Sequence, residues 1–291
     1  MFGGIMAEYI IMSDTGCDIE FETLREWGIG FRGLSFHFEG DVEHQEGEMS
    51  KSEFYSRMRA GEVSRTSAVN SQSFYELFEE ALKDGKDILY LGFSSGISAT
   101  SNSAQMAAKE LREEYPDRKL VTIDTLAASA GQGLLLYYAV EKKKAGADID
   151  ECAAYITELI PRLAHWFTVE DLVYLKRGGR VSAAAAFAGG VLGIKPVLHV
   201  DDEGHLINMM KVRGRDQSLK TIAKKYIETA SDPKGIYYIS HGDCIDDARK
   251  LESMIENEGG GKCALFTEIG TIIGSHAGPG TIALFFLANG R

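Results

Sequence analysis

The sequence predicts an α/β protein of two domains: a mainly parallel α/β sandwich at residues 1–164, then a smaller α/β domain at 165–291. Three observations predict it. The 291 residues exceed the roughly 100–200 typical of one domain. In the first half, apolar runs of strand length alternate with segments of helical period, the pattern of βαβ units. In the second half, two strands flank the four-residue turn Asp201–Gly204, which indicates antiparallel pairing.

The elements follow in order. Tyr9–Ser13 reads as a buried strand and Ile19–Trp27 as a helix closed by Gly28. Ile29–Phe38 reads as one strand. Ser50 to Glu53 forms a capping box for a helix to Ala60, and Ser71 caps a helix to Lys83. Ile88–Phe93 is a continuous apolar strand, followed by a helix from Ser98 to Tyr115. A strand at Leu120–Asp124 precedes helices at Ala127–Lys144 and Asp150–Leu163. Strands are expected at His165–Val169, Lys195–Val200, His205–Lys211, Ile236–His241, Cys263–Thr267 and Thr281–Leu287. Helices are expected at Gln217–Thr229 and Asp243–Asn257. Neither a low-complexity linker nor a repeat separates the halves.

Composition narrows function. Lys and Arg number 31 against 43 Asp and Glu, a net charge of −12, which disfavours a nucleic-acid binder. The apolar stretch from Ala183 to Ile194 is shorter than the 18–20 residues that span a bilayer. Met1 to Met12 lacks the basic start of a signal peptide. The four cysteines at 17, 152, 244 and 263 form no C-x-x-C pair. They read as free cytoplasmic thiols, with no metal cluster expected.

Three short motifs are weighed by context. Gly28-Ile29-Gly30-Phe31-Arg32-Gly33 matches a dinucleotide fingerprint, but it follows a helix and opens a strand, the reverse of what that site requires. Asp14-Thr15-Gly16 resembles an aspartic-protease loop, yet no second such loop supplies the partner carboxylate. Gly92-Phe93-Ser94-Ser95-Gly96 has the strand-to-helix context of a nucleophile elbow. This leaves a serine hydrolase using Ser94, with Asp243 and His276 as partners, as the alternative function.

The denser signal is hydroxyls. Thr66 and Ser67 form one group. Ser94, Ser95, Ser98, Thr100 and Ser101 form another, at the carboxyl end of a strand where a helix begins, the edge at which open α/β sheets bind ligands. A helix start favours an anion, so these residues point to a carboxylate or phosphate. His276, among glycines in a turn, reads as a donor to that anion, aided by a pKa near neutrality. Arg180 borders a glycine pair. Lys211, Arg213 and Arg215 form a basic run, either solvated or a docking surface. The small residues Ala183–Gly190 offer either close packing or room for an apolar ligand.

Taken together, the motifs resemble the DegV family of bacterial fatty-acid-binding proteins along the whole chain. The resemblance rests on Ser13-Asp14-Thr15, Thr66-Ser67, Ser94 to Thr100, Leu175 to Ser182, Gly193 to Leu198, Lys211 to Arg215 and Ile273 to Gly280, in that order. It implies a long-chain fatty acid between the domains, its carboxylate at Thr66 and Ser98 with Ser95 nearby, and His276 and Arg180 near the head group. It implies a non-catalytic carrier in phospholipid metabolism, needing no cofactor beyond its ligand. The bound acid would be presented to an ATP-dependent fatty acid kinase docked through Arg213 and its neighbours, with room for transient contact with a membrane surface. The chain departs from the family's pattern where Ala68-Val69-Asn70 replaces the usual proline, and at Ala99 and Ser101. These departures leave the hydroxyls in place.

Overall fold

The computed structural model describes residues 8–181 and 193–291. The small-residue run Ala183–Gly190 therefore lies outside the described residues.

Four parallel strands form the first sheet, in the order β2 (Gly30–Arg32), β1 (Tyr9–Asp14), β6 (Asp87–Gly92), β7 (Leu120–Asp124). β6 is buried along its whole length, as expected for a central parallel strand with both faces covered. A second, antiparallel sheet has the order β4 (His44–Gln45), β3 (Ser35–Phe38), β5 (Ser64–Ser67). From Leu163 onward the chain builds a six-stranded mixed sheet. Its order is β10 (Leu206–Arg213), β9 (Ile194–Val200), β8 (Leu163–Thr168), β13 (Ile282–Leu287), β11 (Tyr237–His241), β12 (Cys263–Glu268). All its neighbours run antiparallel except β11 and β12.

The helices of the first half are α1 (Phe21–Glu26), α2 (Lys51–Arg59), α3 (Ser71–Lys83), α4 (Thr100–Glu114), α5 (Ala130–Lys144) and α6 (Ile149–Leu159). The second half adds α7 (Val173–Arg177), α8 (Arg215–Thr229), α9 (Ile245–Asn257) and α10 (Thr271–Ala277). α5 is buried between the four-stranded and six-stranded sheets, packing on β6 from one side and on β8, β11 and β13 from the other. Its first two turns are apolar or small nearly all round, the pattern of a helix with no solvent face. Gly131 and Gly133 permit that approach: a Cβ at Gly131 would lie 2.5 Å from His165 Nε2, and one at Gly133 2.4 Å from Ile19.

Three expectations need correction. Ile29–Phe38 is not one strand; it divides at Gly33-Leu34 into β2 and β3, which belong to different sheets. At the break, Leu34 N–H donates to Thr15 Oγ1 instead of to a ladder partner. Ser71 does not cap α3. Asn70, in extended conformation, accepts from Ser73 N–H at 2.9 Å, so Ser71 is the first helical residue. Segments read as loops contain the short elements β5, α7 and α10. Among the described residues, no helix is long and apolar enough to cross a membrane.

Candidate functional site

An apolar cavity of about 190 Å³ lies where the two halves meet. β8 and β13 provide Phe167, Ala283 and Phe285. α10 and the segment just before it provide Ile269, Ile272 and Ile273; the break between β2 and β3 adds Leu34, and the loop after β6 adds Phe93 and Ile97. Polar residues gather where Thr66, Ser98, Arg180 and His276 meet.

Each comes from a different element. Thr66 sits on β5, whose pairing with β3 fixes its direction, and its Oγ1 lies 2.8 Å from His276 Nε2. His276 belongs to the last turn of α10 and not to a turn. Gly178, just after α7, lies so near that a Cβ would come within 2.1 Å of His276 Nδ1. Arg180 donates from Nε to Ile97 O at 3.0 Å and from Nη1 to Gly178 O. It is thus stitched to both the hydroxyl loop and the α7 loop. Thr66, Arg180 and His276 also line a second, polar cavity of about 170 Å³ with Arg65, Arg177 and Ser275. They form a partition between an oily chamber and a polar one.

The electrostatics of His276 differ from the expectation. Burial, with Arg180 adding to it, pushes its pKa down to about 4, because a charged ring would lose its hydration. The ring is therefore neutral at physiological pH, and among the described lining residues only Arg180 brings positive charge to the cavity.

The hydroxyl loop is tied down by its own bonds. Ser94 Oγ donates to Gly204 O at 2.9 Å, in the β9–β10 turn. Ile97 and Ser98 N–H donate to Ser94 O, Gly96 N–H to Ser94 Oγ, and Thr100 N–H to Ser98 Oγ. Ser98 lines the cavity and its Oγ donates to Thr100 Oγ1 at 3.0 Å. Ser95 is exposed, bonded through its N–H to Asp124, and is not among the described lining residues. Ala68 and Ala99, two of the departures from the family pattern, both lie in the wall. Arg213 is exposed at the end of β10, whereas Arg215 is paired with Asp247 at 2.8 Å.

The hydrolase alternative finds no geometry. Ser94 is fully buried and bonded to Gly204; Asp243 pairs with Arg59 at 2.7 Å; His276 is bonded to Thr66. Asp14 is likewise structural, a buried acceptor for Tyr90, Gly16 and Phe93. The four thiols are unpaired, and no group of three metal-ligating side chains occurs among the described residues.

Sequence reasoning missed His165 and Ser129, which also line the cavity. A histidine inside the fully buried strand Leu163–Thr168 was the available signal.

Two α/β halves with a mainly apolar cavity between them, bordered on one side by a polar partition, define the class of protein with an internal chamber. The chain belongs to the DegV family: that family's model, described as an uncharacterised protein family, matches residues 9–289. A DegV domain-containing protein of Clostridium perfringens, CPE0026, is 41% identical over 98% of this chain and 99% of its own. A DegV-family protein of Thermus thermophilus, described for its fatty-acid binding, superposes with TM-score 0.88 at 28% identity, covering 97% of this chain and 99% of its own. A protein of Eubacterium ventriosum described as binding stearic acid gives TM-score 0.86 at 25% identity, covering 96% and 98%.

Proposed function

We propose that this protein binds a long-chain fatty acid, the acyl chain in the apolar cavity and the carboxylate at Thr66 and Ser98, beside Arg180 and His276. The observation that carries this reading is the partition itself: a mainly apolar chamber bordered by the bonded pair Thr66–His276 and by Arg180, which is anchored to the loop that carries Ser98. The fatty-acid binding described for the Thermus thermophilus relative agrees with it.

The physics fits a carrier. Each buried CH₂ contributes roughly 0.8 kcal/mol, so the tail supplies most of the affinity. An unpaired carboxylate in the interior is strongly unfavourable. Hydroxyl donors and one guanidinium offset that cost and hold the acid by its head. The chain holds the acid without activating it, so no catalytic set is required. The exposed Arg213 and the polar cavity outside the partition suit presentation of the head group to an ATP-dependent fatty acid kinase.

Denaturing mass spectrometry of the purified protein tests the first part: a bound fatty acid should be released, and delipidated protein should rebind it. Delipidated protein that takes up no fatty acid would overturn the reading. For the second part, Arg213→Ala should leave lipid affinity unchanged and slow the kinase; undiminished turnover would overturn docking through this residue.

A further inference from the structure

Ser98 lines the cavity from the loop after β6, and its place there depends on a chain of contacts that ends in the other half of the molecule. Its N–H donates to Ser94 O at 3.1 Å, so its position follows that of Ser94. Ser94 is anchored to the first half through its N–H, which donates to Ala127 O at 2.9 Å. It is anchored to the second half through its Oγ, which donates to Gly204 O at 2.9 Å. The loop also lies against the β9–β10 turn: a Cβ at Gly96 would come within 2.7 Å of Glu203 O.

That turn owes its shape to one carboxylate. Asp201 Oδ1 accepts from Glu203 N–H at 3.0 Å and from His205 N–H at 2.8 Å, the local bonding by which Asp fixes a turn. His205 N–H and Gly204 C=O belong to one planar trans peptide unit and point opposite ways. Holding the N–H on Asp201 therefore aims the carbonyl at Ser94. Arg291 steadies the same turn: its Nη1 donates to Asp201 O at 3.1 Å and its Nη2 to Leu126 O, in the loop after β7, at 2.7 Å.

Resting on the fatty-acid reading above, we propose that Asp201 is a positioning residue for the carboxylate site, fixing the placement of Ser98 through the Gly204–His205 peptide and Ser94. A turn of the second half thus aims a donor carried by the first. Such a donor must be held within about 0.5 Å of its working position by the groups behind it, and Asp201 is the side chain that braces this one. Val200 and Leu206, which flank the turn, line the cavity as well, so the test separates an effect on the head group from one on the tail.

The test is a set of double-mutant cycles read by stearic acid affinity of the delipidated full-length protein. Asp201→Ala should lower affinity roughly three- to tenfold, about the worth of one hydrogen bond. Asp201→Asn, which keeps the side-chain acceptor, should restore most of that loss. In a Ser98→Ala background Asp201→Ala should cost less than about twofold, because the donor it aims is gone; in a Thr66→Ala background it should keep its full cost. Ser94→Ala, which cuts the tie from the other side, should reproduce the pattern. Wild-type affinity in both Asp201→Ala and Ser94→Ala overturns the proposal and leaves the fatty-acid reading standing. So does a loss of equal size in the two backgrounds, the result expected if the turn acts only through the tail or the general stability of the fold. Wild-type protein that binds no stearic acid overturns both.

Discussion

Thr66 and His276, 210 residues apart, are joined by a 2.8 Å hydrogen bond between Oγ1 and Nε2. The bond ties a strand of the small antiparallel sheet to the helix that follows β12. Both residues line the apolar cavity and the polar one beside it, so the contact that joins the two elements also forms part of the wall between the chambers.

Removing these hydroxyls should weaken binding sharply. Hydrogen bonds to a charged group contribute about 1.5–3 kcal/mol each. Thr66→Ala combined with Ser98→Ala should therefore lower fatty-acid affinity by tenfold or more in calorimetric titration. Unchanged affinity would mean that the head group sits elsewhere.

Gly178 is a purely steric case. Its φ is in the ordinary helical range, but a Cβ would meet His276 Nδ1 at 2.1 Å. Gly178→Ala should displace His276 and reduce ligand affinity several-fold, with only a small change in thermal midpoint. Normal affinity in this variant would show that the loop yields freely.

Gly204 carries two constraints at once. Its φ is +81°, a region costly to residues with a Cβ, and that Cβ would lie 2.2 Å from Ser94 Oγ. Gly204→Ala should cost about 1–3 kcal/mol of stability, as strained backbone positions do, measured by denaturant unfolding. Ser94 itself should remain unlabelled by a fluorophosphonate, since its hydroxyl is buried against the Gly204 carbonyl.

Burial, with the charge of Asp18 added, raises Glu46 to about 8, and burial raises Asp18 to about 6. Unfolded, such groups titrate near 4. From about pH 4 upward the folded protein holds protons that the unfolded chain has released, so stability falls as pH rises through about 8. Glu46→Gln should raise the thermal midpoint at pH 9 and change it little at pH 5. Equal shifts at both values would remove this carboxyl as the cause.

The parts of the site legible in the sequence were those with a local signature. The apolar run before Gly92 located the strand end at which Ser98 lies, and the order of short motifs pointed to Thr66, Arg180 and His276. Ser95 was not separable from Ser98 on that basis. In a tight loop, nearby hydroxyls face different ways, and only the folded loop shows that Ser98 lines the cavity while Ser95 is exposed. β5 escaped notice because Ser-Arg-Thr-Ser has no apolar alternation; its partner strand supplies the buried face. α10 looked like a turn because glycine and serine weaken helical propensity, which packing against β3, β5 and α7 overrides.

Local patterns by themselves determined the alternation of strands and helices, the acidic surface, the hydroxyl-rich strand end and the family, because periodicity, charge and motif order are properties of neighbours along the chain. Tertiary structure alone decided that His276 is neutral and that Ser94 is a tie and not a nucleophile. Those properties depend on desolvation and on contacts between residues 110 or more positions apart or on opposite sides of a helix–sheet interface. No local pattern encodes such a neighbourhood.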